Sequence, residues 1–167
     1  MNSELRTSYI LTKHETIYLI GCIRGAEQSP SFNYLYKEFL SDEYPPPETV
    51  DGLIEKKLVR KVFGGILLEP VVDFLLRSAV SADAAWIFED GNTPVTLVLK
   101  LRNFFMLVSS YSHINGSWKI APYQNIEVLN DDLAFGAVTR AVYIDKNGKP
   151  EQFHLNGGVS WIKGGEE

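Results

Sequence analysis

The sequence predicts an α+β protein in which a helical N-terminal half packs on a C-terminal antiparallel β-sheet. From Thr12 to about Ala85 the apolar residues recur mostly at helical spacing, and from Trp86 onward they mostly alternate as in strands. The dipeptides Asp90-Gly91, Asn115-Gly116 and Asn147-Gly148, which favour hairpin turns, divide the second half. We therefore predict a helical unit at residues 1–84 and a sheet unit at 85–167, joined in one body because no Gly/Ser-rich or Pro-rich linker separates them.

Three helices are predicted before residue 60. The first begins at Thr12, which has the capping-box spacing with Glu15, and is expected to end by Gly25. Aromatic and leucine residues at i, i+3, i+4 and i+7 predict a second helix from about Ser31 to Leu40. A stiff run of three prolines follows, and then a short third helix is predicted from Glu48 to Leu58.

A hairpin and a fourth helix complete the first half. Two strand-like runs, Leu58–Phe63 and Ile66–Leu68, lie on either side of a Gly64-Gly65 turn. Pro70 suits the first turn of the next helix. The inner face of that helix is predicted to carry Val71, Phe74, Leu75 and Ala79. The order helix, helix, helix, hairpin, helix resembles that of winged-helix domains, and the resemblance is strongest in the segment LIEKKLVRKVFGGILLEPVVDFLL.

The second half is predicted to consist mainly of hairpins. Their strand pairs are Ala85–Glu89 with Val95–Arg102, Phe104–Ser112 with Ser117–Tyr123, and Ala137–Asp145 with Glu151–Leu155. Leucines at 97, 99 and 101 alternate with Val98, Lys100 and Arg102, which predicts a sheet with one wetter face. We also expect a short helix at Ile126–Phe135 and a last strand at Val159–Lys163.

The composition excludes several classes of protein. The 167 residues are 45% hydrophobic and 22% charged, which is typical of a globular chain and unlike a disordered one. The net charge is −5, and a single cysteine excludes an internal disulfide framework. The stretch Met1–Leu11 lacks the apolar core of a signal peptide, and no apolar run approaches the ~20 residues that span a bilayer. We therefore expect a cytoplasmic protein without a membrane partner.

The sequence carries no recognisable catalytic motif. His14, His113 and His154 have no ligand-like spacing to one another or to Cys22, which we interpret as a packing residue late in its helix. Neither a nucleophile elbow nor a glycine-rich phosphate loop is present. We expect a non-enzymatic protein with no cofactor and no metal. A protein that binds an unrecognised small molecule is an alternative function.

A basic cluster supports an alternative function, DNA-binding transcription regulation. Its members are Lys56, Lys57, Arg60 and Lys61, which in a winged helix would lie where phosphate contacts are commonly made. Residues 26–55, however, hold seven acidic residues and one lysine, a charge that repels DNA from the presumed recognition helix. A solvated edge or a patch for an acidic protein is therefore favoured over nucleic acid.

The aromatic residues favour protein binding. Most aromatic side chains are expected to fill the core, but Tyr111, Trp118 and Tyr123 flank one hairpin in which serines are interleaved. A strand with exposed Ser and Tyr is a platform for an extended peptide or for a second copy of the chain. These three residues are our candidates for a protein-binding site, with a homodimer as one form of the partner.

Three segments, taken in order, are similar to accessory proteins of bacterial type VII (ESX) secretion, the EspG-like chaperone families and their shorter relatives in Gram-positive bacteria. The segments are LTKHETIYLIG, LIEKKLVRKVFGGILLEP and RNFFMLVSSYSHINGSWKIAPY. The resemblance implies a non-enzymatic adaptor or chaperone that binds a helical secretion substrate through its sheet or the adjoining helices. It assigns no functional residue to a particular position.

Overall fold

The fold was analysed in a computed structural model, which describes residues 8–23, 27–40, 44–90, 93–111, 117–124 and 140–154. The elements follow in the order β1 (Tyr9–Thr12), α1 (Lys13–Cys22), α2 (Pro30–Phe39), α3 (Thr49–Glu55), β2 (Val59–Val62), β3 (Gly65–Leu68), α4 (Pro70–Val80), β4 (Ala84–Asp90), β5 (Thr93–Lys100), β6 (Phe105–Tyr111), β7 (Ser117–Tyr123), β8 (Arg140–Ile144) and β9 (Pro150–His154). The predicted helix at 126–135 and strand at 159–163 lie outside the described residues.

The predicted α+β class and the three hairpins of the second half are confirmed. Seven antiparallel strands form one sheet in the order β1-β7-β6-β5-β4-β8-β9, and β2 and β3 form a separate two-stranded sheet. The large sheet contains a strand that the sequence analysis did not predict. This strand, β1, pairs with β7, with Leu11 opposite Trp118, so the first residues described belong to the same sheet as the second half of the chain.

Local capping signals fix where α1, α2 and α4 begin. Thr12 accepts the N–H of Glu15 at 3.1 Å while the Glu15 carboxylate accepts the N–H of Thr12 at 2.9 Å, which confirms the predicted capping box. Ser29 caps α2, and the Glu69 side chain caps α4 directly before Pro70. Each signal acts within four residues, which is why the sequence alone predicted the starts of α1 and α4.

The main hydrophobic core lies between the helices and one face of the large sheet. It joins residues such as Leu19, Leu35 and Leu76 of the helices to Ile87 and Leu99 of the central strands. The opposite face is buried too: Trp86, Phe88 and Val98 have no exposed surface. The prediction of one wetter face is therefore wrong at Val98, because the central strands of this sheet are covered on both sides.

The inward face of α4 differs from the predicted one. Val71 and Phe74 are 47% and 58% exposed, whereas Val72, Leu75 and Ala79 are buried. The predictions for Leu75 and Ala79 are confirmed, and those for Val71 and Phe74 are wrong. This helix carries apolar residues on nearly every side, so spacing alone does not determine which of them face the core.

The hairpin turn is shifted by one residue from the prediction. Val62 pairs with Gly65, so the two connecting residues are Phe63 and Gly64, with Gly64 at a φ of +91°. A left-handed backbone at this position suits glycine, which fixes the turn there. The shift places Phe63 at the tip of the hairpin, where its side chain is fully exposed.

Candidate protein-binding surface

One member of the basic cluster has a structural role. The Lys56 ammonium lies 2.6 Å from Oε1 of Glu15 and 3.0 Å from the carbonyl oxygen of Ile10. The Glu15 side chain is only 6% exposed, so its carboxylate needs a compensating charge. Lys56 therefore ties α3 to the start of α1 and to the edge strand β1, and its charge is already neutralised inside the protein.

The other three cations lie on or beside the hairpin. Lys57 lies just beyond the C-terminal end of α3, has a φ of +61° and donates its backbone N–H to the carbonyl of Ile54. Arg60 and Lys61 are exposed on β2, where consecutive side chains point to opposite faces of the strand pair. These three side chains do not converge on one face as a phosphate-binding set would.

The three aromatic candidates are distributed over the β6–β7 hairpin. Trp118 is half-buried, and its ring meets that of Phe39 edge-on at 6.3 Å, on the face that carries the helices. Tyr123 is half-buried five positions further along β7, so strand alternation places it on the other face. Tyr111 ends β6 opposite Ser117, and its side chain lies outside the described part of the structure. Trp118 and Tyr123 thus do not form one surface.

Exposed apolar side chains occur instead on the β2–β3 hairpin and on the helix that follows it. Phe63 is fully exposed at the tip, and Val62 and Leu67 on the two strands are 41% and 44% exposed. On α4, Val71 and Phe74 lie one turn apart and are about half exposed, with the Phe74 ring stacked on Phe104 at 5.8 Å. We call these five residues (Val62, Phe63, Leu67, Val71 and Phe74) the hairpin–α4 surface.

Leu67 of this surface also lines a groove of about 760 Å³. Its walls come from the hairpin, from the last turns of α1 at Tyr18 and Cys22, and from α4. The ion pair of Asp73 and Arg77, 2.9 Å apart, forms its polar rim. The groove has both apolar and polar walls, as protein-binding grooves commonly do.

The Tyr18 phenol and the Cys22 thiol, both on α1, line this groove. Burial and the neighbouring Cys22 thiol, which is hydrogen-bonded to it, raise the pKa of the Tyr18 phenol above its usual value. The phenol is therefore neutral at physiological pH and presents a hydrogen-bonding group to the groove. Cys22 is half-buried rather than part of the deep core.

Within the described ranges, no three His, Cys, Asp or Glu side chains converge as a metal site requires. Of the helices that the structure describes, none combines the length and apolar character needed to cross a membrane. No protein-family model matches the chain, and no curated protein matches it either. The case for a function therefore rests on the residues and geometry of the chain itself.

The hairpin–α4 surface was missed because the sequence analysis assigned its apolar residues to secondary structure and core. Val71 and Phe74 were predicted to face inward, and Phe63 was predicted to end a strand. One signal was available: the stretch 56–68 contains four basic residues and no acidic one, in a chain of net charge −5. That contrast marks the hairpin as a distinct surface, although it does not reveal that the apolar side chains there are exposed.

Proposed function

We propose that this protein is a non-enzymatic adaptor or chaperone that binds another protein through its hairpin–α4 surface. The observation that carries the proposal is the exposure of five large apolar side chains on two consecutive elements. Large apolar side chains exposed on neighbouring elements commonly mark interaction sites, and phenylalanine is a frequent anchor residue. Burying Phe63 and Phe74 in a partner removes this apolar surface from water.

The charges of the hairpin define the chemistry of the partner. Lys57, Arg60 and Lys61 are exposed, and no acidic residue occurs between positions 56 and 68. A partner segment that presents apolar side chains flanked by Asp or Glu complements this surface. An amphipathic helix with an acidic polar face has this pattern, since its apolar residues recur at i, i+3, i+4 and i+7.

The type VII secretion resemblance adds a biological class to the proposal. A chaperone of that class binds a helical secretion substrate, which agrees with an amphipathic helix as the ligand. We also propose that the helical half is winged-helix-like, supported by its element order of three helices, a hairpin and a fourth helix. In this proposal the hairpin and α4 serve protein binding rather than nucleic-acid binding.

DNA binding by the same half is the second candidate function, and the geometry supports it less well. Lys56 is committed to Glu15, Phe63 rather than a cation occupies the hairpin tip, and the third helix exposes Asp51 and Glu55. Phosphate-driven binding needs several converging cations and weakens steeply with salt.

The test is a pull-down from nuclease-treated host lysate at about 50 and 200 mM salt, the range over which phosphate-driven binding should fall steeply. We expect a stoichiometric protein partner at both salt concentrations, bound at least about tenfold less tightly by the Phe63→Ser, Leu67→Ser double variant. The matched control is Tyr44→Ser, which removes an aromatic side chain that is 96% exposed and does not belong to the hairpin. Equal losses in both variants would contradict the assignment of the surface. Recovery of nucleic acid that is lost on Lys57→Ala, Arg60→Ala, Lys61→Ala substitution would favour the regulator.

A further inference from the structure

The helices and the large sheet leave a cavity of about 100 Å³ between them. Its floor is fully apolar and is formed by buried side chains from both layers, among them Phe32, Leu35, Leu97, Leu99 and Met106. None of the hairpin–α4 residues lines it. The cavity is therefore separate from the proposed protein-binding surface.

Three of the half-buried residues at the mouth of the cavity are aromatic. Tyr36, Phe39 and Trp118 line it, as do four further half-buried residues, so the cavity is open to solvent on this side. The rings of Phe39 and Trp118 meet edge-on, and that of Phe32 is tilted against Tyr36 with centroids 6.3 Å apart. A ligand that enters meets apolar and aromatic surface along its whole path.

Water is a poor occupant of this cavity. A buried water molecule needs two to four polar partners; the Thr16 hydroxyl on the wall donates its proton to the carbonyl of Thr12 at 2.9 Å and is left only as an acceptor. The remaining polar atoms of the lining side chains belong to Tyr36 and Trp118 at the mouth. Apolar cavities of similar size stay dry and take up xenon or benzene.

We propose that this cavity is a binding site for a small, uncharged hydrocarbon, with a benzene ring as the size limit. Binding fills apolar volume that water does not fill and restores dispersion contacts for the side chains around it. Charged or strongly polar molecules are excluded because no polar group on the floor compensates for their desolvation.

Methionine labelling gives a direct test on the intact chain. The sequence has two methionines, Met1 and Met106, and Met106 lines the cavity. In protein labelled with ¹³C at the methionine methyl groups, benzene is expected to shift the Met106 signal in a saturable manner through its ring current. The Met106→Leu variant, which removes one of the two signals, assigns the signal that shifts.

A cavity-filling variant completes the experiment. Ala79→Leu places a larger side chain in the cavity and is expected to abolish the saturable shift, while Asn33→Leu, at an exposed position of α2 that does not line the cavity, is expected to retain it. If Ala79→Leu does not fold, Ala79→Val serves in its place and is expected to weaken benzene binding several-fold.

The proposal is overturned if Met106 of the unmodified protein shows no saturable shift up to the solubility limit of benzene, or if the shift persists unchanged when the cavity is filled. A Met106 signal that responds to a protein partner but not to benzene would likewise overturn it.

Discussion

The Glu15 side chain caps the first helix and also takes part in contacts to two other elements. Its Oε1 accepts both the backbone N–H of Thr12 and the ammonium of Lys56, while Lys56 also donates to the carbonyl of Ile10. The carboxylate thus joins the edge strand, the first helix and the end of the third helix. A buried acid in this position is tolerated because both a dipole and a full charge compensate it.

The Lys56→Met substitution is expected to destabilise the protein by about 2 kcal/mol, because it leaves the Glu15 carboxylate buried without its cation. Urea unfolding followed by circular dichroism measures the change. Lys61→Met, at an exposed position on β2, is the control and is expected to change the free energy of unfolding by less than about 0.5 kcal/mol. Adding Glu15→Gln to Lys56→Met should recover part of the loss. If it recovers nothing, the cost comes from packing rather than from charge.

A second residue-scale prediction concerns the turn between β8 and β9, which packs on the start of α2. Gly148 has a φ of +79°, and a Cβ placed there would lie 2.8 Å from the carbonyl oxygen of Pro30. Gly148→Ala is expected to cost about 3 kcal/mol, from left-handed strain together with the clash. Gly64→Ala is the matched control because Gly64 has a φ of +91° but no atom lies within 4 Å of a Cβ added there. Only the backbone strain of about 1 kcal/mol therefore applies. Equal losses in chemical denaturation would show that the turn moves away from α2 at little cost.

At the scale of whole elements, the sequence predicted what local chemistry determines and missed what distant contacts determine. The capping box of Thr12 and the Pro70 start of α4 act within a few residues, and both were predicted. The edge strand β1 depends on pairing with β7, more than 100 residues away, and a four-residue run gives no periodic signal of its own. The exposed position of Phe74 likewise depends on how α4 is oriented against the sheet. Because the sequence alone does not predict that orientation, it does not predict the hairpin–α4 surface.

The orientation of α4 makes an element-scale prediction with a built-in comparison. Val71 and Val72 are neighbours of the same residue type, but Val71 is 47% exposed and Val72 is 4% exposed. Val72→Ala is expected to lower the free energy of unfolding by about 2 kcal/mol, because buried methyl groups are lost, and Val71→Ala by about 0.5 kcal/mol at most. Thermal and urea unfolding of the two variants measure the difference. A larger loss for Val71→Ala would mean that α4 is rotated from the orientation described.

At the scale of the whole molecule, contacts that cross between the two halves bind them into one core. Besides the pairing of β1 with β7, the Asp83 N–H donates to the carbonyl of Lys100 at 2.9 Å at the junction of α4 and the sheet. Within the first half, the buried Ser31 hydroxyl donates to the carbonyl of Ala82 at 2.6 Å, which fixes the start of α2 beside that junction. The helical half exposes the groove and the hairpin–α4 surface on its outer side. We therefore expect it to remain ordered only while its inner face packs against the sheet.

This sharing of the core predicts a single cooperative unfolding transition. Circular dichroism at 222 nm reports mainly on the helices, whereas tryptophan fluorescence in a Trp161→Phe background reports on the sheet through Trp86 and Trp118. The urea midpoints of the two signals are expected to coincide, and Leu11→Ala in β1 is expected to lower both together by removing a buried side chain at the edge of the sheet. Loss of the helical signal before the tryptophan signal would contradict a shared core and would show that the helices unfold separately from the sheet.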